Sequence, residues 1–96
     1  MRFRITLTPS ATGDIRHFKA HEQRIIVAAI TAYLQVDASV ESHRRKRLRP
    51  TQIGPWELKA GRYRVFYELA EGTVTVLAVG NKEHSDLHIR GKRVEM

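Results

Sequence analysis

Residues 61–69 read Gly-Arg-Tyr-Arg-Val-Phe-Tyr-Glu-Leu, and the alternation within them decides the fold. As a strand, this stretch places Arg62, Arg64, Phe66 and Glu68 on one face and Tyr63, Val65, Tyr67 and Leu69 on the other. The second face is continuous and apolar, as a core requires. The first opens with two arginines, and a cation inside a sheet raises a question of function. An ion pair with Glu68 or Glu57 is the plain structural answer for Arg64.

Working outward, Trp56-Glu57-Leu58-Lys59 and the Ala60-Gly61 turn complete a hairpin with this strand. Ala70-Glu71-Gly72 forms the next turn, and the β-branched run Thr-Val-Thr-Val-Leu-Ala-Val-Gly at 73–80 forms the next strand. Residues 81–96 are polar, with only Leu87, Ile89 and Val94 for a core. They are expected to start as a loop or helical turn and to end as an edge strand or a loose tail.

Upstream, Phe3, Ile5 and Leu7 alternate with Arg2, Arg4 and Thr6, the pattern of a half-buried strand. Pro9-Ser10 ends it and offers Ser10 as the cap of a first helix over roughly 10–19, weakened by Gly13, with Ile15 and Phe18 facing the core. A second helix is predicted over 21–35, where Ile26, Ile30, Tyr33 and Leu34 recur at spacings of three and four. Ile25 and Val27 broaden its apolar face. His17 and His21 read as a hydrated helix end. Residues 38–55 hold a basic run, two prolines and a glycine, and read as a loop whose first part holds a helical turn. The order β-α-α-β-β-β gives an α+β fold, with two N-terminal helices packed on a twisted, mainly antiparallel sheet.

Ninety-six residues, 42% of them apolar, make one domain spanning 1–96. The absence of cysteine removes disulfides and thiolate metal sites and fits a reducing compartment. No run approaches the ~18 apolar residues of a membrane span, and the N-terminus lacks the apolar block of a signal peptide. The expectation is a cytoplasmic protein with no membrane partner. Seventeen Lys and Arg against ten Asp and Glu give a formal charge of +7, which points to a polyanion or an acidic protein as partner. His43 to Arg49 alone packs six cationic or titratable side chains into seven positions.

Together, the tyrosine-arginine-valine strand, the apolar strand ending in Val79-Gly80, the charged segment Asn81-Lys82-Glu83-His84-Ser85-Asp86-Leu87-His88 and the upstream Trp56–Gly61 resemble the RelE/ParE superfamily of bacterial toxins from type II toxin–antitoxin systems. The resemblance covers most of the chain and is most specific from Trp56 to Arg90. It implies one of two activities. The RelE branch cleaves messenger RNA, usually on the ribosome and without a metal or other cofactor. The ParE branch poisons DNA gyrase and catalyses nothing. A degenerate RNA-binding member without toxicity is a third reading.

Under the endoribonuclease (mRNA interferase) reading, the resemblance makes Arg64 the contact to the scissile phosphate. A guanidinium fixed on a strand stabilises the charge that develops there, with forked donors. Lys82 falls at a commonly basic position, and His88 falls where many RelE enzymes carry a tyrosine. His88 and His84, four residues apart, would then handle protons, because imidazole titrates near neutrality. The same spacing suits a metal pair, but no third ligand accompanies it, so no metal is expected. Arg44, Arg45, Lys46, Arg47, Arg49, Lys59 and Arg62 would hold RNA phosphates by charge. The positions near Pro55 and Glu57, where RelE enzymes often carry lysines, are not basic here, which keeps the gyrase reading open. In every case the resemblance implies a small, acidic antitoxin that wraps the toxin in a hetero-oligomer.

Overall fold

The structure, a computed structural model, describes residues 1–49 and 53–95. In chain order the elements are β1 (Arg4–Leu7), α1 (Pro9–Arg16), α2 (Ala20–Leu34), β2 (Arg45–Arg47), β3 (Trp56–Ala60), β4 (Tyr63–Ala70), β5 (Thr73–Glu83), β6 (Asp86–Ile89) and β7 (Lys92–Val94). The strands form one sheet in the order β2-β3-β4-β5-β6-β7, antiparallel throughout, and β1 joins it by pairing parallel with β5. The α+β class and the two helices before a mainly antiparallel sheet are as the sequence predicts.

β4 carries the core as its alternation requires. Val65 and Tyr67 are fully buried beneath the helices, together with Leu58, Val74, Val76, Val79, Ile26 and Leu34. The Tyr67 ring stacks on Trp56 at 5.8 Å, and its hydroxyl donates to the Ala38 carbonyl at 2.8 Å. Burial pushes the Tyr67 phenol above its ordinary pKa.

The helix starts differ from the sequence reading. Thr8, not Ser10, caps α1: its Oγ1 accepts from the Ala11 amide at 3.0 Å. Pro9 then takes the first helical position, where its missing N–H costs nothing. α1 ends at Arg16, so Phe18 lies outside it and meets Tyr63 edge-on at 5.6 Å. In the first turn of α2, the Glu22 carboxylate accepts from the Lys19 amide at 3.3 Å.

Two stretches hold more strand than the sequence predicts, although the edge strand expected at the end of the second is found as β7. Within 38–55, residues 45–47 pair with β3 as the edge strand β2, and no helical turn precedes it. Residues 50–52 of that stretch lie outside the described residues. After Gly80, β5 continues to Glu83, and β6 and β7 form a C-terminal ribbon beyond it. Its turns use positive φ at both central positions: His84 (+51°) and Ser85 (+73°), then Arg90 (+52°) and Gly91 (+76°). Such turns match the right-handed twist of the strands they join, which offsets the strain of three non-glycine residues there. The polar composition hid β6 because few side chains of the ribbon reach the core.

β5 positions the rest. Its first half lies between β4 and β1, its last residues lie between β4 and β6, and the register with β4 shifts beside Phe66 and Tyr67. Helix α1 lies over β5, and α2 packs on β3. Among the described residues the opposite face of the sheet carries no helix, and Phe66 and Leu87 on it are nonetheless buried.

Candidate functional site

The register sorts the basic residues onto two faces. Lys59 pairs with Arg64, which pairs with Gly80, so the two cations stand side by side on the face away from the helices. Lys82 lies two residues beyond Gly80 on that face, opposite Leu87. One row along the strands, Lys46 pairs with Glu57, which pairs with Phe66. The open face therefore carries Lys46, Lys59, Arg64 and Lys82, with Glu57 and Glu68 as its acids.

Arg64 is 8% exposed. Its Nη1 donates to the carbonyls of Gly61 at 2.7 Å and Tyr63 at 3.0 Å, which ties the guanidinium to the β3–β4 turn. Among the described residues no carboxylate forms an ion pair with it, so neither Glu57 nor Glu68 is its partner. Burying an arginine without a counter-charge is unfavourable unless its donors are used. Here two carbonyls satisfy one nitrogen, and the charge itself is left unneutralised.

Gly80 explains how closely the strands approach there. A Cβ on it would lie 2.3 Å from the His88 carbonyl oxygen and 2.9 Å from Ile89 Cγ1. Glycine at this position lets β6 reach β5 at the level of Arg64.

The histidines do not join this group. His84 is exposed at the β5–β6 turn. His88 pairs with Asn81 on the face that bears the helices, its Nδ1 3.9 Å from Glu83 Oε2 and 3.3 Å from the Asp86 carbonyl. An acid–base set of two imidazoles beside Arg64 and Lys82 is not assembled. The even spacing misled because a two-residue turn intervenes, and pairing across it sends His88 to the other face.

Arg62 also changes sides. The strand begins at Tyr63, after Gly61 at φ +60°, so Arg62 belongs to the turn. Its Nη2 donates to Glu22 Oε2 at 2.6 Å, and its guanidinium lies 5.2 Å from the centre of the Tyr63 ring. The Tyr63 hydroxyl donates to the same Glu22 oxygen at 2.8 Å. That hydroxyl first, and the guanidinium second, hold the Glu22 carboxyl down at about 2. Burial, and then the bond to Glu22, raise the Tyr63 phenol. Arg62 is thus engaged in a structural cluster beneath the helices.

The basic run divides similarly. Arg45 donates to the Val40 carbonyl at 2.8 Å and the Tyr33 carbonyl at 3.1 Å, anchoring β2 to the end of α2. Arg44 lies 4.4 Å from the Tyr33 ring centre and Arg47 5.7 Å from that of Trp56. Lys46 is on the open face, and Arg49 is exposed beyond the strand. The run is an ordered edge that spends its arginines on packing, in place of the expected loop of free cations.

The residues that sequence reasoning passed over are Glu22 and Asp14. Asp14 is 2% exposed, and its two oxygens join β5 to the C-terminal ribbon through the Val79 amide and Arg90. A signal existed for both: each is an acid on the apolar side of its helix, next to Ile15 or one turn before Ile26. Among the described residues no group of three metal-ligating side chains occurs, and no helix is long and apolar enough to cross a membrane.

Comparison with known proteins agrees with this architecture. Among solved structures, a chain from the crystal structure of the RelBE2 toxin–antitoxin complex of Mycobacterium tuberculosis superimposes with a TM-score of 0.68 at 19% identity, covering 85% of this chain and 100% of that one. At that identity the likeness establishes the fold. No curated protein sequence matches. Residues 5–85 match the family model of the ParE toxin of the type II toxin–antitoxin system parDE. That match takes in both helices, the central hairpins and every charged residue of the open face named above, and the chain belongs to the ParE toxin family of type II toxin–antitoxin systems.

Proposed function

We propose that this toxin acts on messenger RNA, with the open face around Arg64 holding the phosphate at which the chain is cut. One observation carries the reading. A nearly buried guanidinium, without a carboxylate partner among the described residues, stands beside Lys59 and one step from Lys82 on the side of the sheet away from the helices. In cleavage by the neighbouring 2′-hydroxyl, that oxygen gives its proton to water as it bonds to phosphorus, and the P–O5′ bond breaks as the 5′-oxygen takes a proton from water. The phosphoryl oxygens gain negative charge between these events. A fixed guanidinium flanked by ammonium groups is matched to that moment. In this reading the acceleration rests on charge, because neither histidine stands beside Arg64. Such a toxin works in the cytoplasm on translated messages and is silenced by an acidic antitoxin that covers its cationic surface.

A second reading, a toxin that binds gyrase and catalyses nothing, is favoured by one specific feature. The imidazole of β6, His88, faces Glu83 away from Arg64, while Glu57 occupies a position where a ribonuclease would gain from a cation.

Brief induction without antitoxin, with 5′ ends mapped by primer extension on several messages, separates the two. Cuts within translated regions that vanish in Arg64→Ala are the expected result. Growth arrest with intact messages and an undiminished Arg64→Ala toxin would reject the ribonuclease reading in favour of gyrase.

A further inference from the structure

We propose that Arg90 is a positioning residue that latches the C-terminal ribbon to α1 and so keeps Leu87 in place opposite Lys82, on the face that carries Arg64, in the space that Gly13 leaves open. The proposal rests on the open face being the working site.

The latch fills a gap in the sheet. β1 covers the edge of β5 only as far as Val76, and β6 begins opposite Asn81. The backbone groups between them need other partners. The Thr8 amide donates to the Val76 carbonyl at 3.0 Å, and the Val79 amide donates to Asp14 Oδ2 at 3.0 Å. The remaining Asp14 oxygen, Oδ1, accepts from Arg90 Nε at 2.7 Å, while Arg90 Nη2 donates to the Ser10 carbonyl at 3.0 Å. One buried carboxylate therefore joins helix, sheet edge and ribbon.

Backbone pairing gives the ribbon a short hold: β6 meets β5 through three residue pairs, and among the described strands β7 pairs with β6 alone. Arg90 sits at the far turn of this ribbon and reaches back over α1. What the ribbon positions is part of the open face: Leu87 opposes Lys82 and Val94 opposes Leu87. These three also line a cavity of about 190 Å³ with Asp86 and Arg93. If the ribbon swings, Lys82 loses its support and the cavity loses a wall.

Gly13 supplies the independent observation. A Cβ there would lie within 2.3 Å of Arg90 Nη2 and 3.0 Å of Cζ. Helix propensity disfavours glycine inside α1, and the guanidinium lies where a side chain at this position would stand; as the end of a flexible side chain, it and not the helix would give way to a Cβ.

The test uses Gly13→Ala, Arg90→Ala, Arg90→Lys and Asp14→Asn in the full chain, measured by amide hydrogen exchange and by growth inhibition on induction. Propensity alone makes Gly13→Ala a more stable helix. The latch instead makes amides of residues 86–94 exchange about tenfold faster or more while those of β4 hold, with weaker growth inhibition. Asp14→Asn keeps an acceptor for Val79 and should loosen the ribbon as Gly13→Ala does. Arg90→Lys should restore part of what Arg90→Ala loses. Unchanged ribbon exchange in both Gly13→Ala and Arg90→Ala overturns the latch. A loosened ribbon with full toxicity overturns its positioning role. Full toxicity of Arg64→Ala would remove the open-face reading, and the positioning role with it, while exchange still reports on the contact itself.

Discussion

Gly80→Ala puts the close approach of β5 and β6 to a direct test. The backbone of Gly80 lies outside the left-handed region, so alanine meets no conformational penalty, and the whole effect is steric. The new Cβ would stand 2.3 Å from the His88 carbonyl oxygen, so the two must part by at least 0.7 Å to reach 3.0 Å, and Ile89 Cγ1 at 2.9 Å crowds the same side. The atom struck belongs to a backbone held in a ladder, not to the end of a flexible side chain. Overpacking of this kind costs about 1–3 kcal/mol, and the upper half of that range applies where backbone must move. With roughly 4–8 °C lost per kcal/mol in a domain of this size, the melting point should fall on the order of 10 °C or more. The damage should concentrate in the three-pair β5–β6 ladder and weaken toxicity, because Arg64 lies in register with Gly80. Urea unfolding of purified wild type and variant gives the energy, and amide exchange gives the location. A midpoint within about 0.5 kcal/mol of wild type, together with unchanged exchange in β6, would refute the steric argument.

Two further outcomes follow from the buried polar groups. Tyr67→Phe keeps the stacked ring but strands the buried Ala38 carbonyl, and urea denaturation should show a loss of about 1–3 kcal/mol; a neutral result would mean that water or a backbone shift satisfies that carbonyl. Glu22, held at about 2 against an ordinary 4.5, contributes stability that is complete above pH 4.5 and fades as the pH falls toward 2. Unfolding midpoints of wild type and Glu22→Gln should therefore differ at pH 7 and converge between pH 4.5 and 2, and a gap that stays constant over that window would disprove the linkage.

Much of the fold was legible in the sequence because it rests on periodicity. Val65 and Tyr67 alternate with Arg64 and Phe66, and Ile26, Ile30 and Leu34 repeat at helical spacing; side-chain direction in a regular element is dictated locally, so which residues face the helices follows from pattern, while the burial of Arg64 and Phe66 on the other face does not. The same alternation put Arg64 on the open face, and the family resemblance followed from the order of the strands. β7 is the edge strand that was one of the two expectations for the C-terminal stretch, whereas β2 and β6 were not legible. Their side chains are polar, and a strand held by backbone pairing at a sheet edge leaves no apolar signature.

What the sequence could not decide was which charges meet. Arg62 and Arg64 are two residues apart, yet one binds Glu22 on the side of the helices and the other turns its guanidinium to the carbonyls of Gly61 and Tyr63 on the far side, because the turn at Gly61 delays the strand by one residue. Arg90 finds Asp14 from 76 residues away, in a space that Gly13 leaves open. Such pairings are properties of register and of the gap between β1 and β6. They come into being only once the sheet has closed, because a charged side chain is recognised by its neighbours in space, and sequence spacing carries that information only within a single helix or strand.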